Sequence, residues 1–393
     1  VLLTERMVQP MDKPTVQEIF RRFYPAYLVQ YSPSPVQAKV AHNIMNCKTG
    51  AYGANVCVCE DCGFVQIHYN SCRNRCCPMC QAVPKEMWMD ARREDVLDAP
   101  YFHLVFTVPD ILNPVIYSNQ RLLYDALYHA ASSTISELTA DPKHLGAKVG
   151  YICILHTWGS EMNFHPHIHT VLLGGGLASN NQWRDNGENF FLPIRVISKV
   201  FRGKYLEELK RLWEEDKLVF HGTAEKFHNH YTFKELLNSC YGTDWVPHCK
   251  KTFNGAQSVI NYLGKYTHRI AISNHRIIRM DDDTVTFSVK DYRNEGQWKE
   301  LTISGVEFVR RFLMHVPPRR FVRIRHYGLL CSRTKSQKLT LCRNLLGCKK
   351  YLSKLRDMEM PEILEHLYGI KVCVCKACGG HLGKPQMRMP LRC

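Results

Sequence analysis

Two histidines two residues apart, His167 and His169, and two tyrosines four apart, Tyr262 and Tyr266, are the residues of this 393-residue chain best placed for chemistry. The histidines fall in YICILHTWGSEMNFHPHIHTVLLGGGL, residues 151–177, where apolar and β-branched residues fill 151–155 and 168–173 and Gly159, Ser160 and Asn163 lie between. That pattern predicts two strands and a short connection. Side chains alternate faces along a strand, so His167 and His169 project to one side and Ile168 to the other. If the strands pair as a hairpin around residues 159–165, His156 comes opposite His167 and adds a third imidazole to that face. Three protein ligands with positions left open suit a catalytic metal rather than a structural one.

The tyrosines lie in NGAQSVINYLGKYTHR, residues 254–269. Asn254 and Gly255 can open a helix, and Val259, Ile260, Leu263 and Tyr266 recur at helical spacing. Tyr262 and Tyr266 are then neighbours on one face, one turn apart. A phenol beside a divalent metal can attack a phosphodiester and keep the phosphate as a covalent ester. His156 is the first choice for the third metal ligand. Gln257, on the tyrosine helix, is the alternative, and His165 is a further candidate whose orientation depends on Pro166.

Over these residues and most of its length the chain resembles the HUH nucleases, named for histidine-hydrophobe-histidine. Within them it is similar to the two-tyrosine rolling-circle insertion-sequence transposases of the IS-ninety-one type. The resemblance rests on FHLVFTVP at 102–109, LHTWGSEMNFHPHIH at 155–169, YLGKYTHRIAISNHR at 262–276 and SCRNRCCPMCQ at 71–81. It implies an α+β fold in which a central antiparallel sheet carries the histidines and the tyrosine helix packs beneath. It also implies a DNA transposase working on single strands at an element's ends and at its target, one tyrosine cleaving at the end and the other at the target or opposite end. In that chemistry a magnesium or manganese ion polarises the scissile phosphate. A tyrosine attacks, leaving a 5′-phosphotyrosine and a free 3′-hydroxyl. The ester conserves the bond energy, so no ATP is needed, consistent with the lack of a Walker-type glycine loop.

Eighteen cysteines in a long chain, clustered in pairs, indicate zinc in a reducing compartment rather than disulfides. Cys59-Glu-Asp-Cys62 and Cys77-Pro-Met-Cys80 have the two-knuckle spacing of a zinc ribbon and form the first expected site. Cys47, Cys57, Cys72 and Cys76 are enough for a second. Relatives of the type named above tend to carry histidine where this chain has Asn55 and Cys76, so Cys57 reads as a ligand replacing the one lost at 55. Near the C-terminus Cys375 and Cys378 form a single knuckle, close to Cys373 and His381. With Cys331, Cys342, Cys348 or Cys393 it could complete a third site.

Lysine and arginine total 52 against 36 acidic residues, a formal net charge of +16, and a polyanionic partner follows. Two tetrathiolate zinc sites would lower it to about +12. Arg73 and Arg75, beside the knuckles with Lys85, are candidate phosphate contacts, as are His268, Arg269 and Arg276 near the tyrosines. Arg319, Arg320, Arg323 and Arg325 lie in RRFLMHVPPRRFVRIR at 310–325, where aromatic and aliphatic residues between the arginines suit a strand of unpaired bases. With 45% hydrophobic residues the chain can build real cores. The expected division is a helical segment at 1–46, a zinc-binding DNA-binding domain at 47–84, the nuclease domain at 100–310 with an insertion at 178–250, and a basic region at 311–393. Residues 178–250 offer no chemistry, the histidines at 221, 228, 230 and 248 fitting no site; a helix near 198–216 is expected there, capped by Ser198. No run approaches a membrane span and the first residues lack a signal-peptide core, so a cytoplasmic protein of a bacterial cell is expected.

Three other readings share some of these residues. HPHIHTV also fits the histidine-triad nucleotide hydrolases, whose chemistry needs neither the paired tyrosines nor the cysteine block. A replication initiator or relaxase would use the same chemistry as a transposase. A non-enzymatic zinc protein that binds DNA would keep the histidines as structure alone.

Overall fold

The computed structural model describes residues 13–186, 190, 192–245, 248–253, 258, 259, 262, 264, 270–291, 296–384 and 386–388. The chain opens with α1 (Val16–Gln30) and α2 (Pro35–Asn46), each begun by a reciprocal capping box, Thr15 with Glu18 and Ser34 with Gln37. Strands β1 (Ala54–Val58) and β2 (Val65–Tyr69) follow, then α3 (Ala82–Arg93) and β3 (Tyr101–Thr107). Helices α4 (Asn113–Ser118) and α5 (Gln120–Ala140) lead into β4 (Lys148–Trp158), β5 (Phe164–Leu177) and β6 (Trp183–Asp185). Next come α6 (Ile194–Glu214), α7 (His230–Gly242) and β7 (His248–Phe253). A meander of β8 (Ile277–Met280), β9 (Thr284–Asp291) and β10 (Gln297–Ser304) runs into α8 (Gly305–Met314). The last described elements are β11 (Ile324–Gly328), α9 (Lys335–Leu346), α10 (Met360–Tyr368) and β12 (Gln386–Arg388).

These elements make an α+β fold on three antiparallel sheets. The central one has the order β11-β4-β5-β3-β7, with β6 against β5. Strands β4 and β5 are nearly continuous in apolar residues because both of their faces are covered. Phe102, Leu104, Phe106, Tyr151, Cys153, Leu155, Ile168 and Leu172 point into the largest core, against α5 and α6. The opposite face presents Tyr101, Ile152, Ile154, Val171 and Leu173 to Met89 of α3, Val259, and Leu339 and Cys342 of α9.

A second core joins α1, α2 and α8 to the β10-β9-β8 sheet through Phe20, Phe23, Ile44, Phe287, Phe308 and Phe312. The third sheet, β12-β1-β2, belongs to the cysteine-rich ribbon.

Two boundaries differ from the sequence reading. Residues 311–393 do not stand apart: β11 pairs with β4 from Ile324↔Ile154 to Gly328↔Gly150 and extends the central sheet. The segment 178–250 contributes Ile197, Phe201, Tyr205 and Leu209 of α6 to the main core, where all four are fully buried. Its helix starts earlier, at Ile194 after Pro193, and the Ser198 hydroxyl donates to the Trp245 carbonyl from within it instead of capping.

Candidate metal centre

The β4–β5 ladder sets His156 opposite His167 and Ile154 opposite His169, so three imidazoles share one face. Each of His156, His167 and His169 is buried, and one ring nitrogen of each lies within 4.8 Å of the other two. The Nε2 atoms of His167 and His169 are 3.0 Å apart. Metal–nitrogen bonds of about 2.1 Å meeting at right angles would put two nitrogens about 3.0 Å apart, so the pair suits an octahedral cation. The His167 Nδ1–H donates to the His165 carbonyl at 2.7 Å, which leaves Nε2 as the lone-pair nitrogen. Burial, then the neighbouring His165, lowers the His167 pKa to about 3. Burial, then His156 and His167, holds His169 well below its ordinary value. Both rings are therefore neutral at pH 7, the form a metal binds. The His165 ring lies 3.3 Å from the Asp110 carboxylate and is not among the three clustered imidazoles, though it borders the same cleft.

One more histidine belongs here and was missed in the sequence. His103 of β3 is buried, and its Nε2 lies 2.9 Å from His169 Nδ1. The signal was available, because in FHLVFTVP the two-residue alternation puts His103 on the face of Val105, the partner of His169. His103 also meets the hydroxyl of Tyr262, which lies 3.2 Å from His169 Nδ1. Tyr262 sits in helical backbone with Ser258, Val259 and Gly264. That stretch lies close on α3, for a side chain at 264 would occupy the space of the Met89 thioether. Tyr266, Gln257, His268 and Arg269 lie outside the described residues.

The connection between β4 and β5 is gripped by the second core. Met162, at φ +58°, is fully buried there. Around it Arg276 donates to the Ser160 carbonyl at 2.6 Å, Lys290 N–H to the Ser160 hydroxyl at 2.5 Å and Arg311 to the Glu161 carbonyl at 2.9 Å. His315 Nε2 faces the Met162 carbonyl at 3.0 Å and its Nδ1 faces the Thr157 hydroxyl at 3.1 Å. Between the β10-β9-β8 sheet and the histidines opens a cleft of about 550 Å³, lined among others by Thr107, Trp158, His275, Lys290 and Trp298. Trp298 is 60% exposed, with the Lys290 ammonium 5.3 Å from its ring centre. Neither residue stood out in the sequence.

The arginines divide. Arg73, Arg319 and Arg320 are exposed. Arg75 is exposed too, though its guanidinium donates to the Phe321 carbonyl at 2.6 Å. Arg276 is largely buried in the docking just described, where it also borders the cleft. Arg323 and Arg325 face the protein. Arg323 is buried beside Trp158, 5.6 Å from the ring centre, while Arg325 pairs with Asp125 and lies 4.0 Å from the centre of the Tyr128 ring. Both belong to the β11 edge, where arginine stems cover aromatic surface.

The cysteines gather in two tetrads, neither of them as the sequence spacing suggested. Cys47, Cys72, Cys77 and Cys80 form one, and Cys59, Cys62, Cys375 and Cys378 the other. Tetrahedral bonds of about 2.3 Å to zinc would separate sulfurs by about 3.8 Å. The observed Cys72–Cys80, Cys62–Cys375 and Cys59–Cys378 separations are 3.8, 3.7 and 3.5 Å. The four sulfurs of the first tetrad crowd together in a largely buried site, where a bound dication would balance their thiolate charge. Cys57 and Cys76 belong to neither tetrad. Cys57 is buried under the second with Leu382, and Cys76, fully packed, has its thiol pushed up to about 11 by burial. The pairing of Cys59–Cys62 with Cys77–Cys80 fails because α2 ends at Asn46 and delivers Cys47 to the second knuckle instead.

An antiparallel sheet carrying three clustered histidines that could hold a metal ion, joined to a cysteine ribbon with two tetrads spaced for zinc, defines a zinc-ribbon protein with a second candidate metal site. Residues 19–108 match the family model described as "Transposase zinc-binding domain" and residues 150–338 the one described as "Putative transposase". The "Putative transposase y4qJ" of Sinorhizobium fredii (strain NBRC 101917 / NGR234) is 40% identical over 369 residues, 93% of each chain. The transposase of insertion sequence element IS801 from Pseudomonas savastanoi pv. phaseolicola is 29% identical over 308 residues, 77% of this chain and 72% of that one. A conjugative relaxase, TrwC, solved with oriT DNA shares 14% identity over 42% of this chain and 71% of its own at a TM-score of 0.24, too slight a likeness to transfer anything. The chain belongs to the IS91 family of insertion-sequence transposases, with the zinc-binding domain of that family at its N-terminal end. Among the described residues no helix is long and apolar enough to cross a membrane.

Proposed function

We propose that this transposase cleaves and rejoins single-stranded DNA through a 5′-phosphotyrosine formed on Tyr262 or Tyr266. The observation that carries this reading is the Tyr262 hydroxyl against His169, in the same cluster as His156 and His167. A nucleophile of the right type thus stands one imidazole ring away from a built cation site. A magnesium or manganese ion bound by the three histidines would polarise the scissile phosphate. The protein's own groups do the rest. His165 and His103 hold the His167 and His169 rings, and Lys290 offers positive charge along the cleft. Trp298 offers a face for an unpaired base, which favours a single strand over a duplex whose bases are already stacked.

The Tyr262 hydroxyl rests on the Nδ1 side of His169, whereas Nε2 faces His167. To reach a phosphate held at Nε2 it must leave that contact, so the arrangement is a resting one that strand binding displaces. Passage of a strand between two tyrosines, in rolling-circle fashion, needs Tyr266, four residues on in the sequence, as the second nucleophile. Phosphate–tyrosine exchange conserves the ester bond, so rejoining uses no nucleoside triphosphate.

The test is incubation of the protein with labelled single-stranded DNA from an element end and manganese, followed by denaturing electrophoresis. A label that migrates with the protein is expected, and His167→Ala with His169→Ala should abolish it. A labelled band unaffected by that double variant, or cleavage that leaves no covalent adduct, overturns the reading.

A further inference from the structure

We infer that the second tetrad is a zinc site shared by the two ends of the chain, a clasp in which Cys375 and Cys378 supply the half of a ribbon that Cys59 and Cys62 begin. Cys375 and Cys378 fall outside both family matches, which end at residues 108 and 338.

The two knuckles are built alike. Gly63 N–H donates to the Cys59 carbonyl and Gly379 N–H to the Cys375 carbonyl, each at 3.0 Å. Cys59 N–H donates to the Phe64 carbonyl at 2.9 Å and Cys375 N–H to the Gly380 carbonyl at 2.8 Å. Gly63 and Gly379 sit at φ +71° and +76°, the left-handed turn that glycine allows without strain. Backbone N–H groups of Ala377 and Gly380 point at the Cys375 and Cys378 sulfurs, each at 3.4 Å. Such donors favour the thiolates that zinc requires.

Pairing around the knuckles supports the same closure. β12 pairs with β1 from Ala54↔Arg388 to Val56↔Gln386, and Cys59 bridges to Leu382. Glu60 N–H donates to the His381 carbonyl at 3.1 Å, and His381 N–H to the Asp61 carboxylate at 3.2 Å. The apolar part of this unit is small, with Cys57, Cys59, Cys375 and Leu382 as its buried cluster. Metal therefore supplies most of the energy that holds the C-terminal tail to the N-terminal ribbon. The first tetrad closes on residues 47–80 alone and does not depend on the tail. The clasp differs from it in access as well: Cys62 and Cys378 are exposed, whereas Cys47 and Cys77 are buried and Cys72 and Cys80 half-buried.

The experiment counts zinc by elemental analysis in the purified full chain and in a Cys375→Ser/Cys378→Ser variant. Two zincs per chain should fall to one, and Cys57→Ser/Cys76→Ser should keep both. Thiol alkylation of the unaltered chain, read by mass spectrometry, gives the same answer without a variant. With zinc bound, Cys62 and Cys378 should stay unreacted although exposed, while the exposed Cys331 and Cys373 react. A chelator should release Cys59, Cys62, Cys375 and Cys378 together, before the other tetrad. Two zincs retained by the Cys375/Cys378 variant, or alkylation of Cys375 and Cys378 at the rate of Cys373 in the zinc-loaded chain, overturns the clasp. Neither readout depends on DNA cleavage, so the clasp and the phosphotyrosine reading can fail separately.

Discussion

His315 should make the docking of the second core onto the metal hairpin sensitive to acid. The ring is fully enclosed between the Thr157 hydroxyl and the Met162 carbonyl, and burial, helped by the Arg310 charge, lowers its pKa to about 4. An unfolded histidine takes up its proton near pH 6.5. Between these values the unfolded chain binds the proton and the folded chain does not, so stability is full above about pH 6.5 and falls as the pH drops toward 4. From pH 7.5 to pH 5.5 the loss comes to about 1 kcal/mol, and it approaches about 3 kcal/mol only below pH 4. The measurement is urea unfolding of the zinc-loaded protein at both pH values, beside a His315→Gln variant that keeps polar atoms of similar reach. His326 and the histidines of the metal centre titrate in both proteins and cancel in the difference. The native protein should lose about 1 kcal/mol more than the variant between the two pH values. Equal losses would mean that His315 is charged in the fold or does not hold the hairpin, and would refute the argument.

Two further outcomes follow from the same contacts. Trp298→Ala should weaken binding of single-stranded oligonucleotides by about 5- to 150-fold, the range of one lost base stack, while Trp298→Phe keeps most of the affinity; fluorescence anisotropy at fixed salt measures both. Met162→Ala, which empties a fully buried site in the second core, should cost about 2–5 kcal/mol in urea unfolding, with the loss shared by the hairpin it anchors.

The metal face could be read from the sequence because its information is local. Two-residue alternation around His167 and His169 and the breakers between 159 and 163 are enough to place His156 opposite His167. The cysteine pairing was not local. Spacing suggested that Cys59–Cys62 would close with Cys77–Cys80, yet Cys59 meets Cys378, which stands 319 residues away in the chain. Knuckle geometry says that a half-site exists, and only the fold says which other half completes it. The partners of the arginines were hidden for a related reason. Charge and composition mark 310–325 as basic, but Arg325 faces Asp125 and Tyr128 because β11 adds to the central sheet, a pairing that nothing near 324–328 announces. Trp298 was silent because one exposed tryptophan on an edge strand carries no pattern, and it gains meaning from the cleft it borders.

The measurement that bears most directly on the chemistry is peptide mapping of the protein after reaction with a single-stranded element end and manganese. Digestion and mass spectrometry should find a deoxynucleotide phosphate on the peptide containing Tyr262 and Tyr266, and Tyr262→Phe with Tyr266→Phe should remove it. A nucleotide found on a histidine, or on no residue while cleavage proceeds, would contradict the account.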